Sequence, residues 1–347
     1  MSPFDVGAKD GYSANAVRWV AGKLEYISPL VDHLARRKAR KSSFTARAGW
    51  GLNPAMNTAL KSLTLVIGLA ATTLSPRLTA AEVGTGAGFK GPLGLQLYSL
   101  RGQFASQGVP ATLKQVQAYG FKTVELAGTY NLSPDRFLQL LKEHGLTAVS
   151  GHFSYDKYRD DPESVAREAR ALGLKYAGCA WISHQGGQFN EATTREAARV
   201  FNRAGEALAK EGIQFFYHCH GYEFQPHGDG TLMDLLIRET DPRKVAYQMD
   251  VLWVVHPGAD PVKYLEKYPD RWQLMHVKDL RKGVEGNFSG GTDVKNDVAI
   301  GTGQMNWPAI LAAAKKAGVK HYFIEDESPT VVDQIPQSLK YLSEVKF

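Results

Sequence analysis

Two hydrophobic rhythms alternate along most of this chain. From residue 93 onward, short runs rich in aliphatic, aromatic and β-branched residues are each followed by a longer stretch whose apolar positions recur every three or four residues. The short runs predict strands at 93–98, 122–126, 147–153, 175–180, 213–218, 245–250, 272–278 and 320–325. The longer stretches predict helices near 109–119, 133–144, 161–172, 191–211, 230–239, 260–268, 306–317 and 331–345. Ser133-Pro134, Asp161-Pro162 and Asp241-Pro242 pair a side-chain acceptor with proline, as helix starts do. Gly120, Gly145, Gly173, Gly212 and Gly318 supply helix ends. Eight strand–helix units in about 250 residues predict an α/β fold, a single-domain (β/α)8 TIM barrel over 92–347. No Gly-x-Gly-x-x-Gly follows the first strand, which disfavours an open nucleotide-binding sheet.

The rhythm is different before residue 92. Lys61, an apolar run from Leu63 to Leu74, and small residues at Thr79 and Ala81 form the three parts of a secretory signal peptide over 56–81, with cleavage expected after Ala81. Twelve helical residues reach about 18 Å, short of the ~30 Å hydrocarbon core, so no stable membrane span is expected. A signal works from a true amino terminus. Translation is therefore expected to start at Met56, with residues 1–55 a non-native upstream extension and 82–91 a glycine-rich linker. The expected destination is the periplasm or the exterior.

Composition narrows the partners. The chain has 347 residues with 41 Lys/Arg against 35 Asp/Glu, a net charge of +6. Nine of those bases and four of the acids lie in residues 1–55, leaving 32 against 31 in the remainder. The folding part is nearly neutral and carries no charge signature for nucleic acid. Two cysteines, Cys179 and Cys219, exclude a disulfide scaffold and a multi-cysteine metal site.

A barrel keeps its chemistry at the carboxyl ends of its strands. Polar residues gather there: Gln96, Tyr98 and Arg101, Glu125, His152, His218 and His220, Asp250, His276 and Lys278, Glu325 and Glu327. Residues two apart share one face of a strand, so His218 with His220 and His276 with Lys278 can aim at the same mouth. His218, Asp250, His276 and Glu325 come from four successive strands and are all good ligands for a borderline divalent metal. Each also has a plainer reading. The histidines could bond carbonyls, Asp250 could cap the next turn, Glu325 could pair with Lys278 or Lys320, and Arg101 and Glu223 could be solvated loop charges.

Several stretches carry a family resemblance. They are Leu93-Gly94-Leu95-Gln96-Leu97-Tyr98-Ser99-Leu100-Arg101, Gly120-Phe121-Lys122-Thr123-Val124-Glu125-Leu126, Tyr217-His218-Cys219-His220-Gly221-Tyr222-Glu223-Phe224, Met275-His276-Val277-Lys278-Asp279, Gly301-Thr302-Gly303-Gln304-Met305-Asn306-Trp307 and Phe323-Ile324-Glu325. Together the chain resembles the sugar phosphate isomerase/epimerase branch of the xylose-isomerase-like barrel superfamily over residues 92–345. The resemblance implies a divalent metal, Mn, Co, Zn, Fe or Mg, held at strands five to eight, where this chain has His218, Asp250, His276 and Glu325. Relatives commonly place Glu at the first position. His218 breaks the two-glutamate symmetry of epimerases that work on both sugar faces, and resembles inosose dehydratases and 3-keto-glycoside lyases more closely.

The expected chemistry is removal of a proton from carbon beside a carbonyl or hydroxyl, in a sugar isomerase/epimerase or, alternatively, in a lyase that eliminates water or an aglycone. Catalytic candidates are Glu125, His220 and Lys278, the last expected to have its charged form disfavoured by the cation. Tyr98, Arg101, His152, Trp181 and Trp253 are the substrate-binding candidates. Export favours a non-phosphorylated sugar or glycoside, and a 3-keto-glycoside would require a partner sugar oxidoreductase; a homodimer is also open. A non-catalytic carbohydrate-binding module is the rival from another class, and bound divalent metal discriminates the two.

Overall fold

A computed structural model describes residues 83–84, 87–184 and 189–347. The expected extension over 1–55 and signal peptide over 56–81 lie outside the described residues, as do parts of the linker.

The eight strands are β1 (Leu93–Gln96), β2 (Thr123–Leu126), β3 (Thr147–His152), β4 (Tyr176–Cys179), β5 (Gln214–His218), β6 (Val245–Asp250), β7 (Trp272–Val277) and β8 (His321–Ile324). All pair in parallel and β1 joins β8, so the sheet closes into a barrel. The eight expected helices surround it, from Val109–Ala118 to Val331–Glu344. Ser133 and Asp161 accept from the third residue onward and Gly173 and Gly212 take φ of 67° and 72°, as caps and helix ends require. Asp241-Pro242 departs from expectation. It turns the chain into β6, because Val245 is already strand, and Asp241 accepts from the Arg243 amide at 2.9 Å. Short helices at Arg101–Gln107, Tyr155–Asp160 and Val251–Val255 sit in the loops above the strands and were not anticipated. Among the described residues no helix is long and apolar enough to cross a membrane.

Alternation along each strand sorts the interior. Val149, Tyr176, Phe216, Ala246, Leu274 and Phe323 form a closed apolar cluster inside the cylinder. The rings fit because two strand positions lack a side chain. A Cβ on Gly178 would lie 2.3 Å from the Phe216 ring, and one on Gly94 would lie 2.7 Å from Phe323. Two residues further along the same strands come His218 after Phe216, His276 after Leu274, and Glu325 after Phe323. The period that buries the apolar layer therefore also raises these side chains above it.

Candidate active site

Asp250 ends β6 and caps the helix that follows. Its Oδ1 accepts from the Trp253 amide at 3.2 Å, leaving Oδ2 toward the barrel axis. There Oδ2 lies 3.3 Å from His218 Nε2 and 3.6 Å from His276 Nδ1. The two imidazole nitrogens are 3.1 Å apart, and Glu325 Oε2 is 3.1 Å from His276 Nδ1. One donor atom from each of the four residues lies within 4.8 Å of all the others, and all four side chains are buried. Two imidazoles and two carboxylates suit a tetrahedral or somewhat larger shell for zinc, manganese, cobalt or iron.

Charge supports that fit. Burial disfavours charge on every member, yet Asp250 and Glu325 are held below the ordinary carboxylate range by Lys278 and the histidines. His276 is held above the ordinary imidazole range because Glu325 and Glu125 outweigh its burial. Two ionised carboxylates in a dry site require positive charge beside them; Lys278 and a proton on His276 supply it here, and a cation taking that proton's place would supply it in turn. The far nitrogen of His276 has the partner a metal ligand normally keeps: Nε2 donates to Glu125 Oε1 at 2.5 Å. The far nitrogen of His218, Nδ1, is buried without a partner among the described residues.

Glu125 is corrected by its surroundings. Besides His276 it accepts from Gln96 Nε2 at 2.6 Å, Ser150 Oγ at 2.6 Å and Gln248 Nε2 at 2.9 Å, with His152 Nε2 at 3.4 Å. It has no exposed surface, and although burial raises its pKa, His152 and His276 bring it down to about 2. A carboxylate saturated with donors orients His276 and is no base for a substrate proton. The same saturation removes Glu125, His152 and His276 as a second cation site, although their ligand atoms also lie close together. Gln248 gives its amide hydrogens to Glu125, so its Oε1 accepts from His152 Nε2 at 3.0 Å, which fixes the tautomer of His152.

Lys278 is ringed by carboxylates. It is 1% exposed, with Nζ 2.6 Å from Glu327 Oε1, 3.3 Å from Glu325 Oε2 and 3.6 Å from Asp297 Oδ2. Burial would lower its pKa, but those three carboxylates raise it well above the usual lysine value. Lys278 is an ammonium beside the site, suited to donate a hydrogen bond. Of the residues that hold it, Asp297 was absent from the sequence reading, and Glu327 was named at the strand end without a role. Only the Glu325/Glu327 spacing hinted at the latter.

The remaining candidates divide. His220 stacks on Trp253 with ring centres 4.5 Å apart and lies 5.7 Å from His218, and burial lowers its pKa to about 3, so it is neutral. Trp253 is buried against His220, with Lys278 Nζ 5.5 Å from its ring centre. It therefore supports the site instead of offering an open face to sugar. Tyr98 and Trp181 are 37% and 40% exposed, each two residues beyond the end of its strand, β1 and β4, which stand three places apart in the barrel order. Arg101 lies 4.5 Å over the Tyr98 ring and 3.5 Å from Glu327. Glu223, readable as a loop charge, is fully buried.

Known proteins share this arrangement of sequence and fold. An inosose dehydratase from Geobacillus thermodenitrificans is 30% identical over 149 residues, 40% of this chain and about half (49%) of the relative's own length. One from Lacticaseibacillus casei is 25% identical over 250 residues, 64% of this chain and 83% of the relative. The crystal structure of a sugar phosphate isomerase/epimerase from Parabacteroides distasonis superposes with a TM-score of 0.62 at 25% identity, covering 78% of this chain and 97% of that one. Residues 113–345 match the family model described as a xylose isomerase-like TIM barrel, the closed parallel barrel is the fold which that description names, and the chain belongs to the xylose isomerase-like TIM barrel family.

Proposed function

We propose that this protein is a divalent-metal-dependent lyase of the dehydratase type, acting on a non-phosphorylated keto-sugar such as an inosose or a 3-keto-glycoside. The observation that carries the reading is the convergence of His218, Asp250, His276 and Glu325 within 4.8 Å, flanked by a neutral imidazole and a buried ammonium. The inosose dehydratases among its relatives support the same class. A cation held by those four side chains would act as a Lewis acid that orients two neighbouring sugar oxygens.

The chain's own residues then divide the proton work. Neutral His220 accepts the proton from the carbon beside the carbonyl. Lys278 hydrogen-bonds to the enolate oxygen that develops there. The electron pair left on carbon forms a carbon–carbon double bond as the adjacent C–O bond breaks. The leaving oxygen takes the proton that His220 had accepted and departs as water, or as the aglycone alcohol from a glycoside, which returns His220 to its neutral form. Tyr98 and Trp181 offer aromatic faces to the sugar at the rim.

A sugar isomerase is the second reading, favoured by the Parabacteroides distasonis neighbour. One experiment separates them. The purified protein is incubated with zinc or manganese and a panel of inososes and 3-keto-glucosides in deuterated water. A product lighter by one water or one aglycone supports the lyase, and a deuterated product of unchanged composition supports the isomerase. A protein that binds no divalent ion and exchanges no proton on any member would sink both. Residues 56–81 are part of the proposal as an export signal, which would bring the barrel to substrates outside the cytoplasm.

A further inference from the structure

A histidine that moves protons is normally oriented through its second ring nitrogen. His220 is not. Among the described residues its Nδ1 is buried without a partner, and its ring is held by packing, stacked 22° from parallel on Trp253 and edge-on to Trp181 at 4.9 Å. What fixes the ring is therefore the backbone that carries it. That backbone is a tight turn, with Gly221 at φ 102° and its Cα so close to the Trp253 carbonyl that an added Cβ would lie at 3.3 Å.

One buried carboxylate closes this turn. The His220 amide donates to Glu223 Oε1 at 2.9 Å and to Oε2 at 3.2 Å, and the Gly221 amide points at the same carboxylate. The Tyr217 hydroxyl donates to Oε1 as well. Tyr217 and Tyr222 meet at 3.0 Å through their hydroxyls, and the Tyr222 oxygen accepts from the Ile182 amide at 2.8 Å. Ile182 follows Trp181. A single buried network thus ties the loop bearing Trp181 to the loop bearing His220, and the hydrogen bonds of Glu223 run to Tyr217 and the His220 turn instead of to the four proposed metal ligands.

We propose that Glu223 is the positioning residue of His220, its carboxylate setting the turn that presents the imidazole to the substrate carbon. The inference rests on the reading of His220 as the proton acceptor. Glu223→Gln keeps the shape and the Tyr217 bond but turns one oxygen into a donor facing backbone N–H groups. The full-length protein, with histidine isotopically labelled and zinc added, is followed by NMR, the His220 ring signal being identified by its loss in His220→Gln. In the wild type that signal is shifted upfield by Trp253; in Glu223→Gln it moves downfield, while the His152 and His276 signals stay in place. With inosose as probe, kcat for α-proton exchange falls about tenfold or more, because small misplacement of a catalytic group is costly, and KM and zinc affinity stay within about twofold. An unmoved His220 signal with kcat within threefold overturns the proposal, as does a parallel collapse of zinc affinity and every histidine signal in a folded variant. Should Glu223→Gln fail to fold, Glu223→Asp, which retains the charge one methylene back, must show the same shift in smaller degree, and an unmoved ring in that variant overturns the proposal equally. If the wild type exchanges no proton, the functional reading falls while the ring signal still decides the role of Glu223.

Discussion

Glu125→Gln separates a residue that orients the site from one that works in it. The carboxylate accepts from Gln96 and His276 on Oε1 and from Ser150 and Gln248 on Oε2. An amide can keep its oxygen toward Gln96 and His276 and turn its NH2 toward Ser150, whose hydroxyl rotates to accept. Only the Gln248 bond becomes donor against donor. The loss is thus one hydrogen bond plus the charge on those that remain, about 2–4 kcal/mol of stability. The charge matters separately for metal. A neutral amide draws less on the His276 Nε2–H, so Nδ1 is a poorer ligand, and loss of such a partner lowers metal affinity about 10–100-fold, or about 1.4–2.7 kcal/mol. Competition for zinc against a chromophoric chelator measures the affinity, and thermal unfolding of the metal-free protein measures the stability. Affinity within twofold of wild type would refute the orienting role. Intact affinity combined with complete loss of proton exchange would refute it more sharply, since Glu125 would then be acting on substrate.

The other expectations are simpler. His218→Ala and Glu325→Gln should each reduce zinc affinity by about 100-fold, a single ligand's share of a four-ligand site, in proteins that circular dichroism still reports as folded; unchanged zinc titrations would dissolve the proposed centre. Burial raises the Glu223 carboxyl from an ordinary value of 4.5 to about 7. Its contribution to stability is therefore greatest below the unfolded pKa and is lost as pH rises through about 7. Denaturation of wild type minus Glu223→Gln should show this decline, at most about 3 kcal/mol across that window, and a flat difference curve would contradict it. Gly178→Ala should cost about 1–3 kcal/mol by driving a methyl into the Phe216 ring, and a variant melting at the wild-type temperature would show that the barrel interior yields. In the native host, the mature amino terminus should map to Glu82 in an exported fraction, and peptides from residues 1–55 recovered by mass spectrometry would refute a start at Met56.

How far the sequence carried the reading depended on distance along the chain. The strand spans came within a residue or two, because alternation and caps are local. His218, Asp250, His276 and Glu325 could be picked out because each stands at a predicted strand end. Glu125 was visible, but its role was not. Its partners Gln96 and Gln248 are 29 and 123 residues away, and the strands shift register at Val124/Glu125 and again at Tyr247/Gln248, just where these side chains meet. Lys278 was likewise visible and its surroundings were not, because Asp297 and Glu327, which sustain its charge, arrive from two other loops. Glu223 sits five residues from His218 and looked like any polar loop residue, because burial of a short turn is not written in its own composition.

The apolar rings wedged beneath the histidines, with glycine opposite two of them, make this cylinder a cup with a solid floor. A molecule bound above that floor could not pass through the apolar layer. Product and incoming substrate would therefore share the strand-end side of the barrel, and turnover would depend as much on clearing that side as on breaking a bond there.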